Sequence, residues 1–284
     1  MVFRIVIPRP QLLPYIENIW VQEDFNPVNY GTVNPIKVLP STNMVMGFQY
    51  GEKQEVTRNG ETKNLTRHGF SGLQTGFSLY KNSGAVGSVI VRFKPWAASH
   101  FFKIPLIEFK DLNVDSELVF DKQIVSNVIN QLRACVTIDQ RVEVVQSYLV
   151  TLLIDKPTDK LIKNITEEIH KTNGLLKIED IARSANISKR QLERRFNEII
   201  GVSPKKFSTI VRFQQAIQLF EKNDTLTALA YDSGYFDQAH FIKEFQTFTG
   251  LTPEQFFNKQ LQPELSEVFN AKLKLSLFQN SLYQ

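Results

Sequence analysis

Between Ile178 and Gly201 the sequence reads IEDIARSANISKRQLERRFNEIIG, and its polar side chains recur at the spacing of one helix face. On a helix over Ser188–Ile200, 100° per residue brings Arg190, Glu193, Arg194 and Asn197 together, opposite Leu192, Phe196, Ile199 and Ile200. Lys189, Gln191 and Arg195 flank that group, and Lys205, Lys206 and Arg212 follow on the next helical stretch. The chemistry open to such a face is hydrogen bonding to an anionic partner with planar edges. An arginine fork can bond guanine O6 and N7 together in a DNA major groove, worth about 1–3 kcal/mol of base discrimination. From Arg183 to Arg212 there are eight basic residues against two acidic ones, a local charge of +6 where the whole chain carries +4. A single face of this kind is equally the solvated side of an ordinary amphipathic helix.

Residues suited to catalysis or metal binding are sparse. The four histidines (His68, His100, His170, His240) show no H-x-H or H-E-x-x-H spacing, and one cysteine, Cys135, excludes a multi-thiolate zinc site and an intrachain disulfide. Cys135 reads most simply as a small buried apolar group. No metal and no cofactor are expected. The apolar run before Pro8 is too short for a signal peptide, and no run is long enough to span a bilayer, so a soluble cytoplasmic protein is expected, with no membrane partner.

What separates the two readings of the basic face is a second copy about fifty residues downstream. IARSANIS-KRQLERRFNEIIGVSPKKF (181–207) aligns with LAYDSGYFDQAHFIKEFQTFTGLTPEQF (229–256) when the second turn is given one extra residue. Ala182 faces Ala230, Asn186 faces Gly234, Leu192 faces Phe241, Phe196 faces Phe245, Gly201 faces Gly250 and Phe207 faces Phe256. Each copy has the layout of a helix-turn-helix: a small residue where two helices cross, then Asn or Gly at a turn that needs a left-handed backbone. Ser188 is the expected N-cap of the second helix of the first unit. The second copy is acidic, with a net charge of −3 between Asp224 and Gly250. Its expected reading face is Gln238, Ala239, His240 and Lys243.

These units need positioning elements. Before about Phe109, short β-branched and aromatic runs (3–7, 43–50, 87–93) bounded by Pro, Gly and Asn predict a small antiparallel sandwich or barrel. Leu12–Trp20 reads as a turn or short helix entering a strand. A helix is expected from Asp121, with Ile124, Val125, Val128, Ile129 and Leu132 on one face. A second, from Asp139 to Ile154, carries the seam Ile138, Val142, Val145, Leu149 and Leu152. That seam suits either packing onto the sheet or a homodimer contact through 121–154. Pro157 breaks the pattern and sets the domain boundary: 1–156 regulatory, 159–260 helical, 261–284 a tail of no assigned role. Asp159–Lys171 is a helix stopped by Thr172-Asn173-Gly174, and Ser203-Pro204 opens a long helix that ends at Asn223-Asp224.

The strings I-A-x-x-A-N-I-S-x-x-x-L-x-R-x-F, G-V-S-P-x-x-F and A-x-D-S-G-Y-F-D-Q-A-H-F-x-x-x-F-x-x-F-T-G-L-T-P-x-x-F resemble the AraC/XylS family of bacterial transcription regulators, over about 160–258. The resemblance implies seven helices, with two helix-turn-helix units on a long connecting helix entering successive major grooves of double-stranded DNA. By position it implies base reading by Arg190, Glu193, Arg194, Gln238, His240 and Lys243. Phosphate contacts are expected from Ser188, Lys189, Arg195, Lys205, Lys206 and Arg212. Asn186, where glycine is usual, and Ala239, which offers no hydrogen bond, depart from the pattern.

More loosely, V-R-F-K-P-x-x-x-x-x-F-F-x-I-P-L-x-E (91–108) is similar to a segment of the family's cupin-like regulatory domains. That implies an α+β chain, activation through RNA polymerase, dimerisation through helices and a small-molecule effector. Trp20, Phe48, Phe70, Phe77, Phe93 and Trp96 are either its pocket or simply core. Two other classes remain: an alkylated-DNA repair enzyme acting through Cys135, which lacks a neighbouring His or second Cys to activate it, and a protein-binding module built on the same repeats.

Overall fold

A computed structural model describes residues 2–26, 35–220 and 225–257. The first half is built from short antiparallel strands. They are β1 (Val2–Val6), β2 (Ile16–Asp24), β3 (Ile36–Val38), β4 (Val45–Gln49), β5 (Gln54–Arg58), β6 (Glu61–Asn64), β7 (His68–Ser71), β8 (Ser78–Asn82), β9 (Val86–Phe93) and β10 (Asn113–Asp115). They form a six-stranded sheet in the order β1-β2-β9-β4-β7-β10 and a four-stranded sheet in the order β3-β8-β5-β6. Asn59-Gly60, both at positive φ, make the two-residue turn between β5 and β6 that a twisted hairpin requires. The turn at 10–15 leads into β2 as expected.

Alternation divides the larger sheet into two chemically different faces. Val21, Val89, Phe48 and His68 lie side by side across four strands, and Ile19, Val91, Met46 and Phe70 form the next such row. All eight are buried. They meet α1 (Lys122–Ala134) and α2 (Ile138–Leu152), with Tyr148 of α2 edge-on to Phe48 at 6.0 Å between ring centroids. The intervening residues point into an interior cavity described below.

Asp121 caps α1 by accepting from Ile124 N at 3.0 Å. Val125, Val128, Ile129 and Leu132 are buried as expected, but Ile124 is half exposed because it begins the helix on the outer side. Thr137 and Gln140 form a capping box at the start of α2. On the seam of α2, Val142, Val145 and Leu149 are buried in the same cluster as the sheet, with Ile138 and Leu152 packed against it. The seam is therefore consumed within the chain, and a dimer through this hairpin would have to use the outer sides of its helices.

Among the described residues seven α-helices follow: α3 (Lys160–Lys171), α4 (Ile178–Ser184), α5 (Lys189–Ile200), α6 (Pro204–Leu219), α7 (Leu226–Asp232), α8 (Gln238–Thr249) and α9 (Pro253–Phe257). Asn173 and Gly174 both take positive φ where α3 stops. Helix α6 serves both units: Phe207 and Val211 join the core of the first, while Ile210, Phe213 and Ala216 join the second. The first unit's core is continuous with that of the β half through Phe101, Phe102, Leu106 and Phe109, across the break at Pro157. Leu39 of the β half lies in the second unit's cluster. The expected end of α6 at Asn223-Asp224 and the tail 261–284 fall outside the described residues. Among the described residues no helix is long and apolar enough to cross a membrane.

Candidate nucleic-acid interface and interior cavity

The turn of each helix-turn-helix unit is set by backbone conformation. Asn186 (φ 52°) and Gly234 (φ 77°) both occupy the left-handed region, one by tolerance and one by lack of a Cβ. Ser188 then caps α5: its Oγ accepts from Gln191 N, and Gln191 Oε1 accepts from Ser188 N at 3.0 Å. Gly201 ends α5 at φ 94°, where an added Cβ would stand 2.9 Å from the carbonyl oxygen of Leu106. Leu192, Phe196 and Ile200 are buried, which fixes the rotation of the helix. Arg190 and Arg194 are consequently exposed, with Glu193 and Asn197 half-buried beside them.

This face borders a groove of about 900 Å³ whose opposite wall is Pro105, Ile107 and Glu108, from the 3-10 segment Leu106–Phe109 and the proline that precedes it. Arg194 makes only a long contact, 3.9 Å, with Glu198 one turn on. Its side chain is 70% exposed.

The expected phosphate contacts divide. Lys205 is exposed. Lys189 is exposed but ion-paired with Glu179 at 2.6 Å, which raises the Lys189 pKa and lowers that of Glu179. Arg195 is held by Asp159, the N-cap of α3, through Nη2 and Nε at 2.6 and 3.2 Å. Lys206 Nζ sits 4.7 Å over the Phe248 ring, and burial lowers its pKa. The Arg212 guanidinium lies 5.1 Å over Tyr235. Arg195, Lys206 and Arg212 thus tie helices together: the sequence pattern marks them as cations but does not reveal partners distant along the chain.

In the second unit Asp237 caps α8, accepting from His240 N at 2.7 Å. Ala239, His240 and Lys243 are exposed. Gln238 is half-buried and accepts from Thr227 Oγ1 at 2.7 Å. His240 lies 3.7 Å from Glu244 and packs edge-on to Tyr235. The two units therefore present different surfaces, cationic on α5 and mixed polar and apolar on α8.

Between the sheets lies a cavity of about 1050 Å³, closed on one side by Phe213, Gln214 and Ile217 of α6. Its floor is the second face of the larger sheet. Gln22, Ser88 and Gln49 form one row, Trp20, Ile90 and Gly47 the next, and Arg92 with Val45 another. Space above Gly47 is open, since an added Cβ there meets nothing within 4 Å. Gln49 Oε1 and Ser88 Oγ have no hydrogen-bond partner among the described residues. Of the six aromatics expected to line a pocket, Trp20 points into it, while Phe70 only borders it, its ring packing on Phe102 and Phe109 on the helix side of the sheet. Phe48 and Phe93 are fully buried on the opposite face of the sheet, Trp96 packs under Lys163, and Phe77 lies against Gly250. That expectation is corrected by strand alternation, which sends Phe48 and Phe93 to the helix side. The polar lining went unrecognised, although the alternation Asn18, Trp20, Gln22 was its signal.

Cys135 ends α1, its carbonyl accepting from Arg141 at 2.6 Å. Among the described residues no group of His, Cys, Asp or Glu could hold a metal ion.

Residues 181–259 match a family described as a helix-turn-helix domain, and residues 4–115 match a domain of unknown function, DUF6597. An uncharacterised HTH-type transcriptional regulator of Haemophilus influenzae is 38% identical over 80 residues, 28% of this chain and 27% of that protein. The HTH-type transcriptional regulator MtrA of Neisseria gonorrhoeae is 31% identical over 110 residues, 38% of this chain and 32% of that one. The lactose operon transcription activator of Staphylococcus xylosus is 36% identical over 69 residues, 24% and 25% respectively. The likeness spans about a third or less of each relative. Among solved structures, ToxT from Vibrio cholerae O395 bound to (E)-4-(8-methylnaphthalen-1-yl)but-3-enoic acid matches over 90% of this chain and 98% of its own, at 12% identity and a TM-score of 0.42.

Proposed function

We propose that this chain, whose residues 181–259 match a helix-turn-helix domain family, is a sequence-specific, DNA-binding transcription activator of the AraC/XylS type. The observation that carries the reading is the exposed cationic face of α5, Arg190 and Arg194, held by a buried Leu192-Phe196-Ile200 stripe and repeated in layout by α8. Arg190, Glu193 and Arg194 read one major groove; Gln238, His240 and Lys243 read the next. Lys205, Lys189 and the N-terminus of α5 position the protein on phosphates. Residues 159–260 are the DNA-binding part and 1–156 the regulatory part.

In this reading the regulatory half takes a small effector in the cavity between the sheets. The amide and hydroxyl groups of Gln22, Gln49 and Ser88, with Trp20 and Arg92, favour a polar ligand. Residues of α6 close the same cavity, so occupancy bears directly on the helix that joins the two reading units. RNA polymerase is the further partner, the cytoplasm the compartment, and no catalytic step is part of the function.

The test is equilibrium binding of the full chain to duplex DNA across a salt series. Each neutralised phosphate contributes about −0.9 to the slope of log K against log salt, so a slope of several units is expected. A slope near zero would instead favour a protein partner for the repeats. Methyl transfer from alkylated DNA to Cys135, detected by mass spectrometry, would favour a repair enzyme.

A further inference from the structure

The two helix-turn-helix units differ in length at one place. From left-handed Asn186 to the N-cap Ser188 the chain advances two residues; from left-handed Gly234 to the N-cap Asp237 it advances three. Both following helices are twelve residues long and both end on a left-handed glycine, so the extra residue belongs to the turn. Tyr235 corresponds to Ile187 and is buried against Phe241. The added residue is Phe236.

Phe236 is 87% exposed, the most exposed of the large apolar side chains among the described residues. The fold does not need its ring, because Tyr235 fills the core position and Asp237 supplies the cap. It stands immediately before the N-terminus of α8, the end of a reading helix whose residues meet base edges. There the second unit is poor in cations. Where α5 begins Lys189, Arg190, Gln191, α8 begins Gln238, Ala239, His240, and Ala239 is exposed as well. Two exposed apolar groups at the head of a reading helix match the one apolar feature of the major groove, the 5-methyl group of thymine, which Phe and Ala side chains both contact.

We propose that Phe236, with Ala239 three residues on, is a specificity-determining contact that reads a thymine methyl in the half-site bound by α8. The proposal rests on the DNA-binding reading above and assigns to the second unit an apolar mode of recognition that the first lacks.

The test replaces each thymine of the α8 half-site in turn by deoxyuridine, which removes the methyl group and keeps base pairing. Affinities are measured with the full chain and with Phe236→Ala. One thymine is expected at which deoxyuridine weakens the parent chain about threefold to tenfold, the range set by a buried methyl-sized group. That penalty is expected to vanish in Phe236→Ala, with the salt slope and thermal midpoint unchanged. Equal affinity for thymine and deoxyuridine at every position, or a penalty that persists in Phe236→Ala, overturns the proposal while leaving DNA binding intact. Absence of salt-dependent duplex binding by the parent chain overturns both.

Discussion

The Arg195 guanidinium grips the Asp159 carboxylate through two nitrogens, Nη2 and Nε, both directed at Oδ2, at 2.6 and 3.2 Å. Asp159 also caps α3 by accepting from Ile162 N, so one carboxylate joins α3 to α5. This changes what an arginine on α5 does. Arg195→Ala is expected to lower stability by about 1 kcal/mol, discounted for partial exposure, with the salt slope of DNA binding unchanged. Thermal denaturation and a salt titration of the same variant check both halves. A slope shallower by about one unit would return Arg195 to the phosphate contacts.

Arg194 is the opposite case, 70% exposed and with only a distant neighbour in Glu198. Arg194→Ala is expected to cost about 1–3 kcal/mol at the cognate site and to relax base preference at the position it reads. Lys243→Ala, on the less basic α8, is expected to cost less. Competition binding against single-base site variants measures both, and equal losses would show the two units to contribute alike.

The cavity and the core separate by mutation. Phe93 is fully buried and packs against Phe101 at 4.9 Å between centroids, so Phe93→Ala is expected to cost about 3–5 kcal/mol of stability. Gly47→Val fills the open space on the cavity floor and is expected to leave the unfolding midpoint nearly unchanged while abolishing any effector response. Denaturant titration and a ligand-dependent reporter distinguish the two. A Gly47→Val variant with normal response would move the effector elsewhere.

His68 makes stability depend on acid. It is 2% exposed, stacked on Phe48, and burial lowers its pKa to about 3 from the ordinary value near 6.5. Because the folded pKa lies below the unfolded one, the unfolded chain binds the proton first as pH falls. The stabilisation is complete above about pH 6.5 and is lost progressively toward pH 3. From pH 7 to 4.5 this amounts to about 2–3 kcal/mol. Urea unfolding at the two pH values, compared with His68→Leu, checks it: the substitution should flatten this part of the profile.

Local signals made much of this legible. Asn186, Gly234, Ser188 and Ser203 mark turns and caps by chemistry that acts within a few residues, and the structure uses them so. The apolar stripe of α5 set the helix rotation, and with it the exposure of Arg190 and Arg194. Partners distant in sequence were not legible: Asp159 lies 36 residues before Arg195, and Tyr235 meets Arg212 only once α6 and the second unit pack. The cavity lining was missed for a different reason. Aromatic residues suggest a pocket, but strand alternation turned Phe48 and Phe93 to the helix side and left glutamines and serine facing the space.

Selection of bound duplexes from a random-sequence pool by the full chain, repeated with an Arg190→Ala, Arg194→Ala double variant, tests the central claim most directly. Two enriched half-sites about one helical turn apart are expected for the parent chain, with the half-site read by α5 alone losing its sequence preference in the variant. An unenriched pool, or a single motif that the double substitution leaves unchanged, would contradict it.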